Sequence, residues 1–159
     1  MRRKEREITD KAVLETVIKE SFYVSLAMHT DAAPYQIPMN FGYDDGVIYL
    51  HSAREGQKMA VLRAAGGSLS ASALFVAKAA LLDRGKPNAC DLSTRYASVI
   101  ATGTLAEVTD PEERMRGLRC LAAQLGVSER PIDEGQTKGI AILKLHVAAM
   151  VGKANDPAE

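Results

Sequence analysis

An α+β domain, mainly β and barrel-like, is predicted by three features of the 159-residue sequence. From Tyr35 to Tyr43 every second residue is apolar: Tyr35, Ile37, Met39, Phe41 and Tyr43 share one face, with Gln36, Pro38, Asn40 and Gly42 on the other. That period of two marks a strand with unlike faces. Further β-rich runs recur along the chain, and helical periodicity is confined to three stretches. Their order, α-β-hairpin-α-β-β-α-β with six or seven strands, suits an antiparallel barrel whose ends and one side are closed by helices.

Each element has a local cause. Thr9-Asp10 supplies an N-cap, and Val13, Leu14, Val17 and Ile18 fall at helical spacing through about Glu20. Phe22 to Met28 is β-like, and His29 to Pro34 is a turn. The alternating strand then enters an Asp44-Asp45-Gly46 turn, where glycine takes positive φ without a Cβ penalty, and returns as Val47 to Leu50. A helix beginning near Glu55 packs through Met59, Val61 and Leu62 and stops at Gly66-Gly67. Ser68 to Val76 reads as a strand. Ala77 to Thr94 reads as its continuation, a loop around Asp83 to Asn88, and a return. Tyr96 to Val108 is a long strand in which Gly103 suggests a bulge or a close backbone approach. Thr109-Asp110-Pro111-Glu112-Glu113 opens a helix with a cap, an N1 proline and first-turn acids; Gly126 ends it. Val127 to Gly139 is a polar loop or frayed helix. Ile140 to Val151 is a final strand, buried on both faces around Leu143 and Leu145.

The chain reads as one domain over residues 1–159, long enough to bury a core. Twenty Lys+Arg balance twenty Asp+Glu, so no net field favours nucleic acid or an anionic membrane surface. The opening MRRKERE is basic but interrupted by Glu5 and Glu7, as in a solvated arm. No apolar run is long enough to span a membrane, and the N-terminus lacks the apolar core of a signal peptide. Cys90 and Cys120 are far apart and form no metal-ligand pattern, which fits reduced thiols in a cytoplasmic protein.

Chemistry concentrates at the end of the second hairpin strand. Ser52-Ala53-Arg54-Glu55 has the spacing of a capping box, and Arg54 and Lys58 flank the start of the helix. Free N–H groups and the macrodipole make that end positive, so Ser52, Arg54 and Lys58 there compose a phosphate cradle. The same spacing also fits an ordinary capped helix with two solvated cations. His51 adjoins the cluster, where it could donate to an anion or sit over a bound ring; His29 and His146 read as structural. Ser98 stands alone in its strand, and Arg95 and Tyr96 lie where the long loop rejoins the sheet. No nucleophile-base-acid triad and no Gly-x-Gly-x-x-Gly fingerprint is present.

The opening MRRKEREITD, the run PYQIPMNFGYDDGVIYLHSAREGQK, the stretch ACDLSTRYASVIATGTLAEVTDPEER and the closing VGK resemble the nitroimidazole-reductase-like (Nim) branch of the pyridoxamine-phosphate-oxidase-like flavoproteins, in family order and over roughly the whole chain. The resemblance implies a split β-barrel homodimer with FMN in a groove between subunits. It implies that Pro38, Met39 and Asn40 lie beside the isoalloxazine ring, with Met39 packed on its plane. It also implies that His51, Ser52 and Lys58, with Arg54, hold the phosphate. Tyr96 and Ser98 would reach the flavin from the partner chain, and His51 matches a histidine implicated in function. The implied activity is an FMN-dependent oxidoreductase passing electrons to a small acceptor such as a nitroimidazole. A non-catalytic flavin-binding or sensing module, or a haem- or deazaflavin-binding relative, shares the fold. The segment GGSLSASALFVAKAALLDRGKPNA departs from the family in lacking an Asn-Pro-Arg-Val type of strand opening.

Overall fold

The computed structural model describes residues 3–30 and 33–155. Met1 and Arg2 of the expected basic arm, Asp31 and Ala32 of the expected turn, and the last four residues of the expected domain lie outside these. The elements are β1 (Glu7–Ile8), α1 (Lys11–Glu20), β2 (Val24–Met28), β3 (Tyr35–Met39), β4 (Phe41–Asp44), β5 (Val47–Ala53), α2 (Gln57–Ala64), β6 (Ser68–Leu82), β7 (Ser93–Glu107), α3 (Pro111–Gln124), a single turn α4 (Glu134–Thr137) and β8 (Ile140–Asn155). All strand pairs are antiparallel. One eight-stranded sheet runs β3-β2-β6-β7-β8-β5-β4, with β1 added on β8. The fold is therefore mainly β, as expected, and a split barrel.

Two strands go beyond the sequence reading: β1, in the stretch read as a solvated arm, pairs with β8 at Glu7–Lys153 and Ile8–Gly152, and a break that the alternation hides divides Tyr35 to Tyr43. Tyr35 to Tyr43 keeps its two faces throughout: Met39, Phe41 and Tyr43 are buried, and Pro38 and Asn40 exposed. At Asn40, however, the chain changes partners. Residues 35–39 pair with β2, and residues 41–44 pair with β5. The ends of the ladder, β3 and β4, are thus joined by one residue. Consecutive Cα atoms are about 3.8 Å apart, so the two edges must meet at Asn40 and the sheet must curl. A single residue turns the sheet into a split barrel.

The enclosed core is built from one face of every long strand: Leu26 and Met28 of β2, Ile48 and Leu50 of β5, Ala73 and Phe75 of β6, Val99 and Leu105 of β7, and Leu143 and Leu145 of β8. Phe41 and Phe75 meet edge to face, ring centroids 4.9 Å apart. Helix α1 seals one end with Leu14, Val17 and Ile18, after Asp10 caps it by accepting from Val13 N at 3.1 Å. Helix α3, capped by Asp110 on Glu113 N at 2.7 Å, lies outside the sheet over β4 and β5. Tyr49, Val108, Leu121 and Ile142 form a second core there.

Two glycines set the seating of α3. A Cβ on Gly42 would stand 2.5 Å from the Cys120 backbone carbon, and one on Gly117 would stand 2.8 Å from the Tyr49 ring. Gly103 marks the bulge expected of it: the β7–β8 register shifts between Thr102 and Gly103, and an added Cβ would meet the His146 carbonyl. At the hairpin, the Tyr43 hydroxyl donates to Glu15 at 2.9 Å and accepts from Gly46 N at 3.1 Å. Burial is the main cause of a Tyr43 pKa raised to about 12, so the hydroxyl keeps its proton for Glu15.

Gly42→Ala places a methyl group against rigid helix backbone. It is expected to cost about 3 kcal/mol, read as a lower urea midpoint at unchanged m-value.

Candidate functional site

The curl at Asn40 brings the β3–β4 junction beside the end of β5. A groove of about 390 Å³ opens there, lined by Tyr23, Ile37, Pro38, Met39, Asn40, His51, Ser52, Ala53 and Lys58. Six of the nine sequence-predicted residues meet in it: Pro38, Met39, Asn40, His51, Ser52 and Lys58. They come from two chain segments and three elements.

The local structure differs from the capping-box expectation. Strand β5 runs on through Ala53, so His51 and Ser52 are strand residues, held in register against Ile142 and Ala141 of β8. His51 points outward and is exposed, whereas Ser52 is buried and its hydroxyl donates to the Ala53 carbonyl at 2.8 Å. The helix starts two residues later than expected. Its N-cap is Gly56, at φ 103°, and no side chain caps it. Without that cap the first-turn N–H groups of α2 remain donors toward a ligand.

Lys58 sits in this first turn with its ammonium half-buried. Burial alone lowers its pKa, and among the described residues no carboxylate pairs with it. An unpaired, partly desolvated cation beside an uncapped helix N-terminus is a fitted receptor for a phosphate. The fit is chemical as well as spatial, since an anion would reverse the burial shift.

Three expected residues stand elsewhere. Arg54 turns away from the groove: its Nε donates to the Lys138 carbonyl at 2.8 Å, and its guanidinium lies 3.9 Å from Glu107. It faces a second cleft. Tyr96 and Ser98 are on β7, paired with Asn155 and Lys153 of β8. Lys153 Nζ lies 5.8 Å from the centre of the Tyr96 ring, and Ser98 Oγ donates to the Lys153 carbonyl at 3.3 Å. The nearby cations lower the Tyr96 pKa, Lys153 foremost and Arg6 after it. Met39 joins the groove by its backbone, because its side chain is 8 % exposed and packs in the core.

Tyr23 is the residue that sequence reading missed. It precedes β2 and lines the groove, while its neighbour Phe22 is 84 % exposed. The signal was two aromatics side by side before a strand, absorbed into the strand itself.

The family model of pyridoxamine 5'-phosphate oxidase matches residues 10–154. The chain belongs to that family. Among solved structures, a proposed 5-nitroimidazole antibiotic resistance protein from Bacteroides thetaiotaomicron is 25 % identical, with a TM-score of 0.78 over 92 % of this chain and 85 % of its own. The flavocytochrome Anf3 from Azotobacter vinelandii is 16 % identical, with a TM-score of 0.79 over 98 % of this chain and 72 % of its own. The FAD and heme binding protein from Mycobacterium smegmatis is 17 % identical, with a TM-score of 0.79 over 95 % of this chain and 74 % of its own. The last two share the fold. Comparison with curated proteins returns no match. No helix among the described residues is long and apolar enough to cross a membrane.

Lys58 carries a linkage prediction. Its folded pKa lies below the unfolded value of 10.5, so between the two the unfolded chain binds more protons and stability rises with pH. Burial raises the Cys120, Tyr43 and Tyr49 pKa values and works the other way, so the share of Lys58 is read as a difference: the urea midpoint of the wild type relative to Lys58→Met should rise from about pH 8 to about pH 10.

Proposed function

We propose that this protein is an FMN-binding oxidoreductase of the nitroreductase type, working as a homodimer with flavin at the subunit interface and delivering electrons to a small acceptor such as a nitroimidazole. The observation that carries the reading is Lys58, unpaired and half-buried at the uncapped start of α2, in the same groove as the exposed backbone of 38–40. When bound, a flavin supplies reversible electron transfer, and the protein supplies position and electrostatics.

The residues divide by what they offer. Lys58 and the first-turn N–H groups of α2 hold the phosphate, with Ser52 lining the wall; to donate there, Ser52 must turn its proton from the Ala53 carbonyl. The backbone around Pro38, Met39 and Asn40 offers amide and carbonyl groups to the polar edge of the ring, since Met39 is turned inward. His51, exposed at the groove wall, is the side chain placed to donate to or orient an acceptor.

The homodimer is supported by the sheet register. Paired residues share a face, and Pro38 pairs with Ser25, Ser25 with Leu74, Leu74 with Ile100, and Ile100 with Val151. The groove residue Pro38 therefore heads a row that crosses five strands and ends on exposed Ile100 and Val151. Exposed Val76 lies in the next row, opposite Ser98. An outer face that leaves Val76, Ile100 and Val151 exposed together is what a second copy covers. Seated on it, that copy would bring its own Ser98 and Tyr96 toward this groove. The nitroimidazole acceptor rests on the 25 % identical neighbour.

The absorption spectrum of the purified chain, taken before and after FMN loading, tests cofactor binding. Anaerobic reduction followed by addition of a nitroimidazole tests the activity. Reoxidation is expected. A flavin that stays reduced with every nitro compound tried identifies a flavin-binding module instead.

Two variants report on the site. Lys58→Met should weaken FMN by at least about tenfold, the worth of a charge-assisted hydrogen bond of about 1.5–3 kcal/mol, whereas Arg54→Ala should leave FMN affinity unchanged by titration. Ile100→Lys should produce monomers in sedimentation and lose FMN binding in the same step, with a cooperative thermal transition retained.

A further inference from the structure

Just past the groove lies a cleft of about 520 Å³ that the flavin reading leaves unused. It is lined by Arg54, Pro111, Glu112, Arg114, Met115, Leu118, Thr137 and Lys138. Ala53 lines the groove and Arg54 lines the cleft, so the two open on either side of one peptide bond at the end of β5. Ser52 of that strand end and Lys58 of α2 make the proposed phosphate end of the groove.

The lining combines two chemistries. Arg54, Arg114 and Lys138 contribute three cations, against Glu112 at the wall and Glu107 beside Arg54. Both guanidiniums are fixed by backbone carbonyls: Arg54 donates to Lys138 O at 2.8 Å, and Arg114 to Thr137 O at 3.2 Å and Ile140 O at 3.3 Å. Carbonyls orient both forks without neutralising them, and although Arg54 also has Glu107 at 3.9 Å, the charges of Arg114 and Lys138 are still there for an anion. Pro111, Met115 and Leu118 share one face of α3 with Arg114 and offer an apolar surface suited to a flat ring. The volume falls within the range of about 300–1,000 Å³ typical of small-molecule sites.

We propose that this cleft binds the adenosine phosphate moiety of a redox nucleotide, phosphate on Arg54, Arg114 and Lys138 and base on Pro111, Met115 and Leu118. Two sources carry that moiety: the adenylyl half of an FAD whose flavin half lies in the groove, or a separate nicotinamide dinucleotide serving as electron donor. The first source rests on the flavin reading above; the cleft's affinity for AMP does not. The proposal also explains why Arg54 points away from Lys58, since the two cations then serve different phosphates.

Isothermal titration of the full chain with AMP, FMN, FAD and NADPH, in wild type and Lys138→Glu, tests it. The Lys138 side chain is exposed and it is the backbone carbonyl that holds Arg54, so the substitution spares the fold, which a thermal melt checks. AMP is expected to bind the wild type and to weaken at least about tenfold in Lys138→Glu. An FAD source predicts FAD tighter than FMN by at least about tenfold, a margin that Lys138→Glu abolishes while FMN affinity holds. A donor source predicts equal FAD and FMN binding, with NADPH binding the FMN-loaded chain in a Lys138-dependent way. Affinities for AMP, FAD and NADPH that are all indifferent to Lys138→Glu overturn the proposal. Failure of the flavin reading looks different: FMN does not bind, yet AMP still does and still depends on Lys138.

Discussion

The structure depends on the change of partners at Asn40. A strand of uniform alternation is shared between the two ends of one sheet, and the peptide bonds on either side of one residue hold those ends together. Because the ladder cannot lie flat with its ends joined, it curls, and the inner face of every long strand becomes core. The same junction exposes backbone at residues 38–40 beside the end of β5. The fold and the groove therefore have one origin. A substitution elsewhere in the sheet changes packing, whereas a change in the path at Asn40 would change both the barrel and the site.

Helix α3 makes the second constraint. It lies outside the barrel on Gly42 and Gly117, where backbone and ring leave no room for a Cβ, and this close seating keeps β4 and β5 in place from behind. Its first turns also wall the second cleft. Between the groove and that cleft the cations are divided: Lys58 faces one, Arg54 the other, although only three residues separate them. A strand that continues to Ala53 and a helix that waits until Gln57 give the chain room to turn each side chain its own way.

Much of this was legible in advance. The two caps at Asp10 and Asp110, the bulge at Gly103, the glycine stops at Gly66 and Gly126, and the loop between β6 and β7 all follow from residue chemistry within a few positions. So did the inward set of the alternating strand, Tyr35 to Tyr43. The family resemblance gathered Pro38, Asn40, His51, Ser52 and Lys58 around one expected ligand, and the fold does bring them to one groove. Spacing failed where two local rules competed. Ser52 to Glu55 fits a capping box, but β8 offers Ser52 and Ala53 backbone partners, and pairing in the ladder won over helix initiation.

By itself, then, the sequence determined where the long strands and the three longer helices lie, to within a few residues, and which face of the alternating strand is apolar, because period, caps and glycines act locally. Which strand pairs with which was decided by tertiary structure alone. Nothing in the alternation of 35–43 marks Asn40 as the point where partners change, since both halves keep the same inward face. The direction taken by Arg54 was likewise beyond local reading. It depends on a carbonyl at residue 138 and a carboxylate at residue 107, both distant in sequence and brought near only by the folded sheet.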